Sequence, residues 1–172
     1  MYRHGYDPRA ATSRALTEYR ANLAVFDTLL ASFKAREFMD RGMVIVAATG
    51  NESKRPSYTI DAAPPSAAMG MVRVGAIEQD GNGGFNIANF SNTKPVVVAP
   101  GVDVESAALG GGTVSLSGTS MATPHVAGLA ALYWNEAHPA AKASNIAAQL
   151  EAQARAVGLM WEDGGLGMAV AP

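Results

Sequence analysis

A chain of 172 residues with 48% hydrophobic side chains is long enough for one domain with a sizeable core. Its formal charge of -2, with 13 basic residues spread along the chain, provides no basic patch for nucleic acid or an anionic membrane surface and excludes both as partners. No apolar stretch approaches the ~20 residues that span a bilayer, Met1 is followed by Tyr2, Arg3 and His4 without a signal-like run, and zero cysteines exclude disulfides, thiolate metal sites and cysteine nucleophiles while leaving the compartment open.

From Ala11 to Arg41, Leu16, Tyr19, Leu23, Phe26, Leu30 and Phe33 recur every three or four residues, which predicts a long helix with one packing stripe. Thr12 or Ser13 can cap its start and Gly42 ends it. Met43 to Ala48 is a short β-branched run between glycines, as expected for a strand of a parallel sheet buried on both faces. Met71–Ile77 and Pro95–Ala99 read as two more strands, with "QDGNGG" and "FSNTKP" as turn-rich connections. Asp80 and Asn82 open a calcium-like spacing, but the twelfth position is Ser91 where a bidentate glutamate is needed, so a plain turn is expected.

Met121 to Ala137 is apolar around almost its whole circumference and dotted with Ala122, Ala127, Gly128, Ala130 and Ala131, which predicts a central helix with close neighbours. A second helix is expected from about Lys142 to Ala156, and "GGLGMAV" reads as a closing loop and short extended piece. Ser120 stands at the first turn of the central helix, where unpaired backbone N–H groups and the helix dipole favour negative charge. Gly118 allows a turn into that helix, and Ser120 or Thr119 can equally serve as its N-cap.

Motif context favours the chemical role. The run "SLSGTSMATPHVAG" resembles the nucleophile motif of the subtilisin-like serine proteases, the subtilases, and "VIVAATGNES" resembles their oxyanion-asparagine segment. "PSAAMGMVRVGAI" and "FSNTKPVVVAPGVDV" lie between the two in the family's order. The resemblance covers about Met43 to Trp134 closely and implies an α/β fold, a three-layer, mostly parallel sheet with flanking helices, of which residues 1–172 form the C-terminal portion. It implies that Ser120 is the acylated nucleophile and Asn51 the side-chain donor of the oxyanion hole. Ala48, Thr49 and Gly50 then line one wall of the pocket for a polypeptide substrate. A hydroxyl attacks the scissile carbonyl, and the Ser120 N–H with the Asn51 amide holds the oxygen that becomes negative.

His125 lies five residues beyond Ser120 on the same helix, so the two side chains leave the axis in different directions; the resemblance makes it a packing residue, not the base. In this family the triad runs Asp, His, Ser, but no Asp-Ser/Thr-Gly turn and no "HGTH"-like segment occurs upstream, and His4 matches neither pattern. His138, before Pro139 at a helix end, is expected to be a surface cap or a solvated position. The resemblance therefore implies that the N-terminal half of the fold is missing, that its partner is this missing half, and that the isolated chain is inactive, with an unpaired sheet edge and an uncovered helix face. The chemistry needs no cofactor. Structural calcium occurs in the family, but no ligands can be assigned here, and secretion or a cell-envelope location is what the resemblance suggests. A non-catalytic scaffold that kept the fold is the competing reading, whereas an esterase elbow is disfavoured because "GTSMA" is not G-x-S-x-G.

Overall fold

The computed structural model describes residues 7–172, and His4 lies outside them. The first helix, α1 (Pro8–Arg36), begins three residues before the expected start because Asp7 and Pro8 form its N-terminus. Asp7 Oδ1 accepts the N–H groups of Arg9 (2.9 Å) and Ala10 (3.2 Å), and Pro8 brings a preset helical φ to the first position. Thr12, an expected cap, instead donates its hydroxyl to the Pro8 carbonyl at 2.8 Å. The helix ends at Arg36 and not Arg41, in a tightened turn where Glu37 N–H bonds Lys34 and Phe38 N–H bonds Ala35. Its stripe packs only in part: Leu30 is buried and Leu23, Phe26 and Phe33 half-buried, while Leu16 and Tyr19 are exposed. A helix of 29 residues is roughly 44 Å long, and its N-terminal half finds no buried position among the described residues.

Four strands form the main sheet: β1 (Val46–Ala48), β2 (Val72–Gln79), β3 (Phe85–Ile87) and β4 (Val97–Pro100). β2 is its centre. Val74 pairs in parallel with Ala48 on one side and Val97 on the other, and Ile77 pairs with Ile87 and Pro100, so β1 and β3 share one side of β2 and β4 takes the other. The three expected strands are present and pair in parallel, β1 and β4 on either side of β2, and the antiparallel β3 is an addition. β1 is shorter than the run Met43–Ala48 and only half-buried, because among the described residues it has one strand partner. The turn from β2 to β3 is held by Asp80, whose Oδ1 accepts Asn82 N–H (2.8 Å) and Gly84 N–H (2.9 Å). An exposed hairpin of β5 (Val104–Ala107) and β6 (Thr113–Leu116) leads into the next helix, α2 (Thr119–Glu136).

The core joins one face of the sheet (Val72, Val74, Ala76, Val97 and Ala99) to Ala122, Val126, Ala130 and Tyr133 of α2 and to Ile146 and Leu150 of α3 (Ala143–Ala152). α2 is therefore buried along one stripe and not all round: Ala127, Gly128, Ala131 and Leu132 face solvent. On the opposite face of β2, the backbone of Gly75 lies against Val98, Pro95 and Ser91. The short helix α4 (Trp161–Gly164) leads into the tail, whose "GGLGMAV" is expected from sequence to be loop and extended chain and which lies along β4, with Leu166 N–H on Val96 (2.9 Å), Val98 N–H on Gly167 (2.9 Å) and Ala169 N–H on Val98 (3.0 Å).

Arg55 ties this tail to the loop that follows β1. Its guanidinium donates to the Ser91 carbonyl and pairs with Asp163, and its own N–H bonds Asn89 at 3.0 Å. Arg55→Ala strands a half-buried carboxylate and a carbonyl, and is expected to lower stability by about 1–3 kcal/mol in a urea titration. At the end of α3, burial pushes the Glu151 carboxyl above its ordinary value, with Arg73 acting weakly against the shift. The folded state then holds this proton more tightly than the unfolded state, so its contribution to stability falls as pH rises through the carboxylate range. Glu151→Gln is expected to reduce the loss of melting temperature between about pH 4 and 7; an unchanged pH slope would refute the assignment.

Candidate active site

The loop leaving the C-terminal end of β1 and the N-terminus of α2 meet beside the central strand. Thr49 N–H bonds the Val74 carbonyl at 3.0 Å, continuing the β1–β2 ladder by one residue, and Gly50 then turns the chain with φ +108°. Asn51 follows, exposed, with its carboxamide oxygen fixed: Oδ1 accepts the Thr119 N–H at 2.8 Å and the Thr119 hydroxyl at 2.9 Å. Gly50 N–H donates to that same hydroxyl at 3.2 Å. Thr119 is fully buried, so its end of this network is shielded from competing water, while Asn51 stands at the surface.

The helix cap differs from both expected candidates. Gly118 occupies the N-cap position in extended geometry, with no side-chain cap bond, and Thr119 and Ser120 are the first residues of α2. The acceptor for the Thr119 N–H comes from Asn51, 68 residues away in sequence. This leaves Ser120 as an exposed residue on the first turn, whose N–H has no intrahelical carbonyl to bond.

The two remaining donors border one space. A methyl group built on Gly118 would lie 3.5 Å from Asn51 Nδ2 and 3.7 Å from the Ser120 nitrogen, with Met121 Sδ at 3.4 Å. Because the Asn51 oxygen is committed to Thr119, its NH₂ is the end left for a ligand. Ala48, half-buried at the end of β1, the buried Thr49 and the half-buried Gly50 run up to this point. Two donors and a helix N-terminus converging beside a serine hydroxyl can bind an oxygen that gains negative charge.

The two described histidines, His125 and His138, lie apart from this arrangement. His125 is exposed and not a packing residue, with Nδ1 2.9 Å from the Met121 carbonyl of its own helix. His138 is exposed and accepts the Ala140 N–H on Nδ1 at 3.1 Å, a surface turn contact in the connection after α2 and not a helix cap. Sequence reading missed Thr119 as the anchor of Asn51, and also Asn92, which it placed in a turn. Asn92 is completely buried and reaches the same loop from the other side. Its flanking motif, "FSNTKP", was the only signal available. Among the described residues no cluster of three or more His, Asp or Glu side chains is placed to hold a metal ion, and no helix is long and apolar enough to cross a membrane.

The subtilase family matches this chain over residues 12–168. A thermophilic serine proteinase from Bacillus sp. is 43% identical over 95 residues, covering 54% of this chain and 21% of the relative. Subtilisin-like protease 2 of Pseudogymnoascus destructans is 43% identical over 117 residues, 63% of this chain and 27% of the relative. Among solved structures, sphericase superposes with a TM-score of 0.66 at 28% identity, over 75% of this chain and 48% of its own. A psychrophilic protease gives 0.67 at 30% identity, over 78% and 50%. The chain thus spans roughly a quarter of the curated relatives it matches and half of the solved structures.

Proposed function

The chain belongs to the subtilase family, and from that premise we propose that residues 1–172 form the nucleophile-bearing, C-terminal portion of a serine endopeptidase. Ser120 Oγ attacks the scissile carbonyl of a polypeptide, and the oxygen that becomes negative is received by Asn51 Nδ2 and the Ser120 N–H. The amine leaves and water then releases the acyl group. The observation that carries this reading is the Asn51 carboxamide, turned by Thr119 so that its NH₂ and the Ser120 N–H border the space over Gly118. The wall formed by Ala48, Thr49 and Gly50 takes part of the substrate.

His125 is turned to its own helix, so the proton of Ser120 passes to a histidine, oriented by an aspartate, that a further segment supplies. The outer edge of β1 and the solvent-facing stripe of α2 at Ala127, Ala131 and Leu132 support a covering partner of this kind. Without it the chain is proposed to be inactive. Export of the parent protein, as the family resemblance suggests, belongs to the same proposal.

The test is labelling by a fluorophosphonate probe, with the chain alone and with an added polypeptide bearing the Asp and His segments of a relative, and with size followed by light scattering. No labelling of the chain alone and labelling of Ser120 in the complex, lost in Ser120→Ala, is expected. Labelling of the chain alone, lost in Ser120→Ala, would place the base within these residues and overturn the inactivity. Equal labelling of Ser120→Ala would remove Ser120 as the nucleophile, and a folded chain that labels neither alone nor with the added polypeptide would favour the scaffold reading.

Gly118 offers a sharper probe of the oxyanion space. Its backbone is extended, a conformation open to any residue, and an added methyl would meet its neighbours at ordinary contact distance. Gly118→Ala should therefore fold with wild-type stability while filling the space between the donors. Labelling in the complex is expected to slow roughly tenfold or more, and an unchanged rate would show that the oxygen binds elsewhere.

A further inference from the structure

We propose that Asn92 is a positioning residue that sets the orientation of the Asn51 carboxamide, an inference that rests on the reading of Asn51 as an oxyanion donor. Asn92 follows β3, is 0% exposed, and directs its whole side chain at residues 49–53. Its Oδ1 accepts the N–H groups of Glu52 and Ser53, both at 3.0 Å, and the Ser53 hydroxyl at 3.2 Å. Its Nδ2 donates to the Thr49 carbonyl at 3.1 Å and to Glu52 Oε2 at 2.7 Å, and its backbone N–H bonds the Gly50 carbonyl at 3.1 Å.

These bonds use both donors and both acceptor sites of the carboxamide. They fall on either side of Asn51 and leave Asn51 itself untouched. The loop is therefore fixed at its base by Asn92 and at its tip by Thr119, and the direction of the Asn51 NH₂ follows from the two together. A carboxylate lacks the donor for Thr49 and repels Glu52, and an aliphatic residue leaves the Ser53 N–H unpaired in a buried position.

The readout is the side-chain NH₂ group of Asn51, followed by NMR in the ¹⁵N-labelled 172-residue chain with urea stability measured in parallel. In Asn92→Asp its order parameter is expected to fall from the wild-type value into the flexible range below about 0.6, while the amides of Val74 and Val126 keep their positions. Adding Glu52→Gln to that variant restores an amide–carboxylate bond between positions 52 and 92 in the opposite sense, though not the bond to Thr49, and is expected to recover part of the order. Asn92→Ser, small and still an acceptor, gives the same comparison if the first variant does not fold.

An Asn51 amide that stays ordered in a folded variant overturns the proposal, as does loss of order spread evenly through the sheet, or a double variant that fails to recover. A loss confined to the loop and recovered in part by the second substitution supports it. If that loss occurs while Asn51→Ala leaves Ser120 labelling unchanged in the complex, the positioning of the loop by Asn92 stands and the oxyanion reading falls.

Discussion

Asn51→Ala is expected to slow acylation of Ser120 by about 10²–10³ in the complex with the base-bearing segment, a magnitude that comes from removing this donor in a member of the same family. The structure adds that this substitution acts on the fold as well as on the rate. Asn51 is exposed, and its one structural task is to accept the Thr119 N–H and hydroxyl. Alanine returns both donors to water or leaves them unpaired, at a cost near 1–3 kcal/mol. Asn51→Asp separates the two roles, since a carboxylate keeps both acceptor bonds to Thr119 but places negative charge where the donor stood. Its stability should match wild type while its labelling falls at least as far as that of Asn51→Ala. If Asn51→Asp labels at the wild-type rate, the second oxyanion donor must be sought elsewhere.

Gly50→Ala is expected to be the most destabilising single methyl in the site. Two effects act together. Gly50 has φ +108°, a conformation that L-residues rarely adopt, which costs about 1–3 kcal/mol. The new carbon would also stand 2.5 Å from Asn92 Nδ2 and 3.3 Å from Asn92 Cγ, and against the Glu52 carboxylate, adding an overpacking penalty of about 1–3 kcal/mol. Asn92 cannot retreat, because it is fully buried and bonded to Thr49, Glu52 and Ser53. The loop must therefore shift and carry Asn51 with it, so urea stability and Ser120 labelling in the complex should fall together. A loss below about 1 kcal/mol with full labelling would show that the loop accommodates the carbon and that Asn51 is held by Thr119 alone.

Much of the fold was legible from short-range signals. Glycine on either side of Met43–Ala48, the β-branched runs near Val74 and Val97, and the apolar density of Met121–Ala137 placed three parallel strands and the helix that crosses them to within a few residues. The start of α1 has a local signal too: Asp7-Pro8 is a cap followed by a first-turn proline, three residues ahead of the start at Ala11 that the apolar stripe suggests. β3 was not legible, since three residues after a glycine-rich turn carry no usable period. The same holds for Asn92, because an asparagine in "FSNTKP" suits a turn as well as it suits a clamp, and its partners lie about 40 positions upstream.

The sequence by itself determined the family, through two long motifs in a fixed order, and with it the identity of Ser120 and Asn51 as the residues on which to propose chemistry. Residue type and spacing suffice there, because a hydroxyl at a helix N-terminus and a carboxamide after a buried strand are local choices. Only the tertiary structure decided which face of α2 is buried, that the cap of α2 comes from Asn51 and not from Ser120 or Thr119, and that Asn92 closes the loop from beneath. Each of these depends on where a distant backbone places a donor or acceptor. A hydrogen bond formed across 68 or 43 residues leaves no period or composition in the chain for a sequence reading to detect.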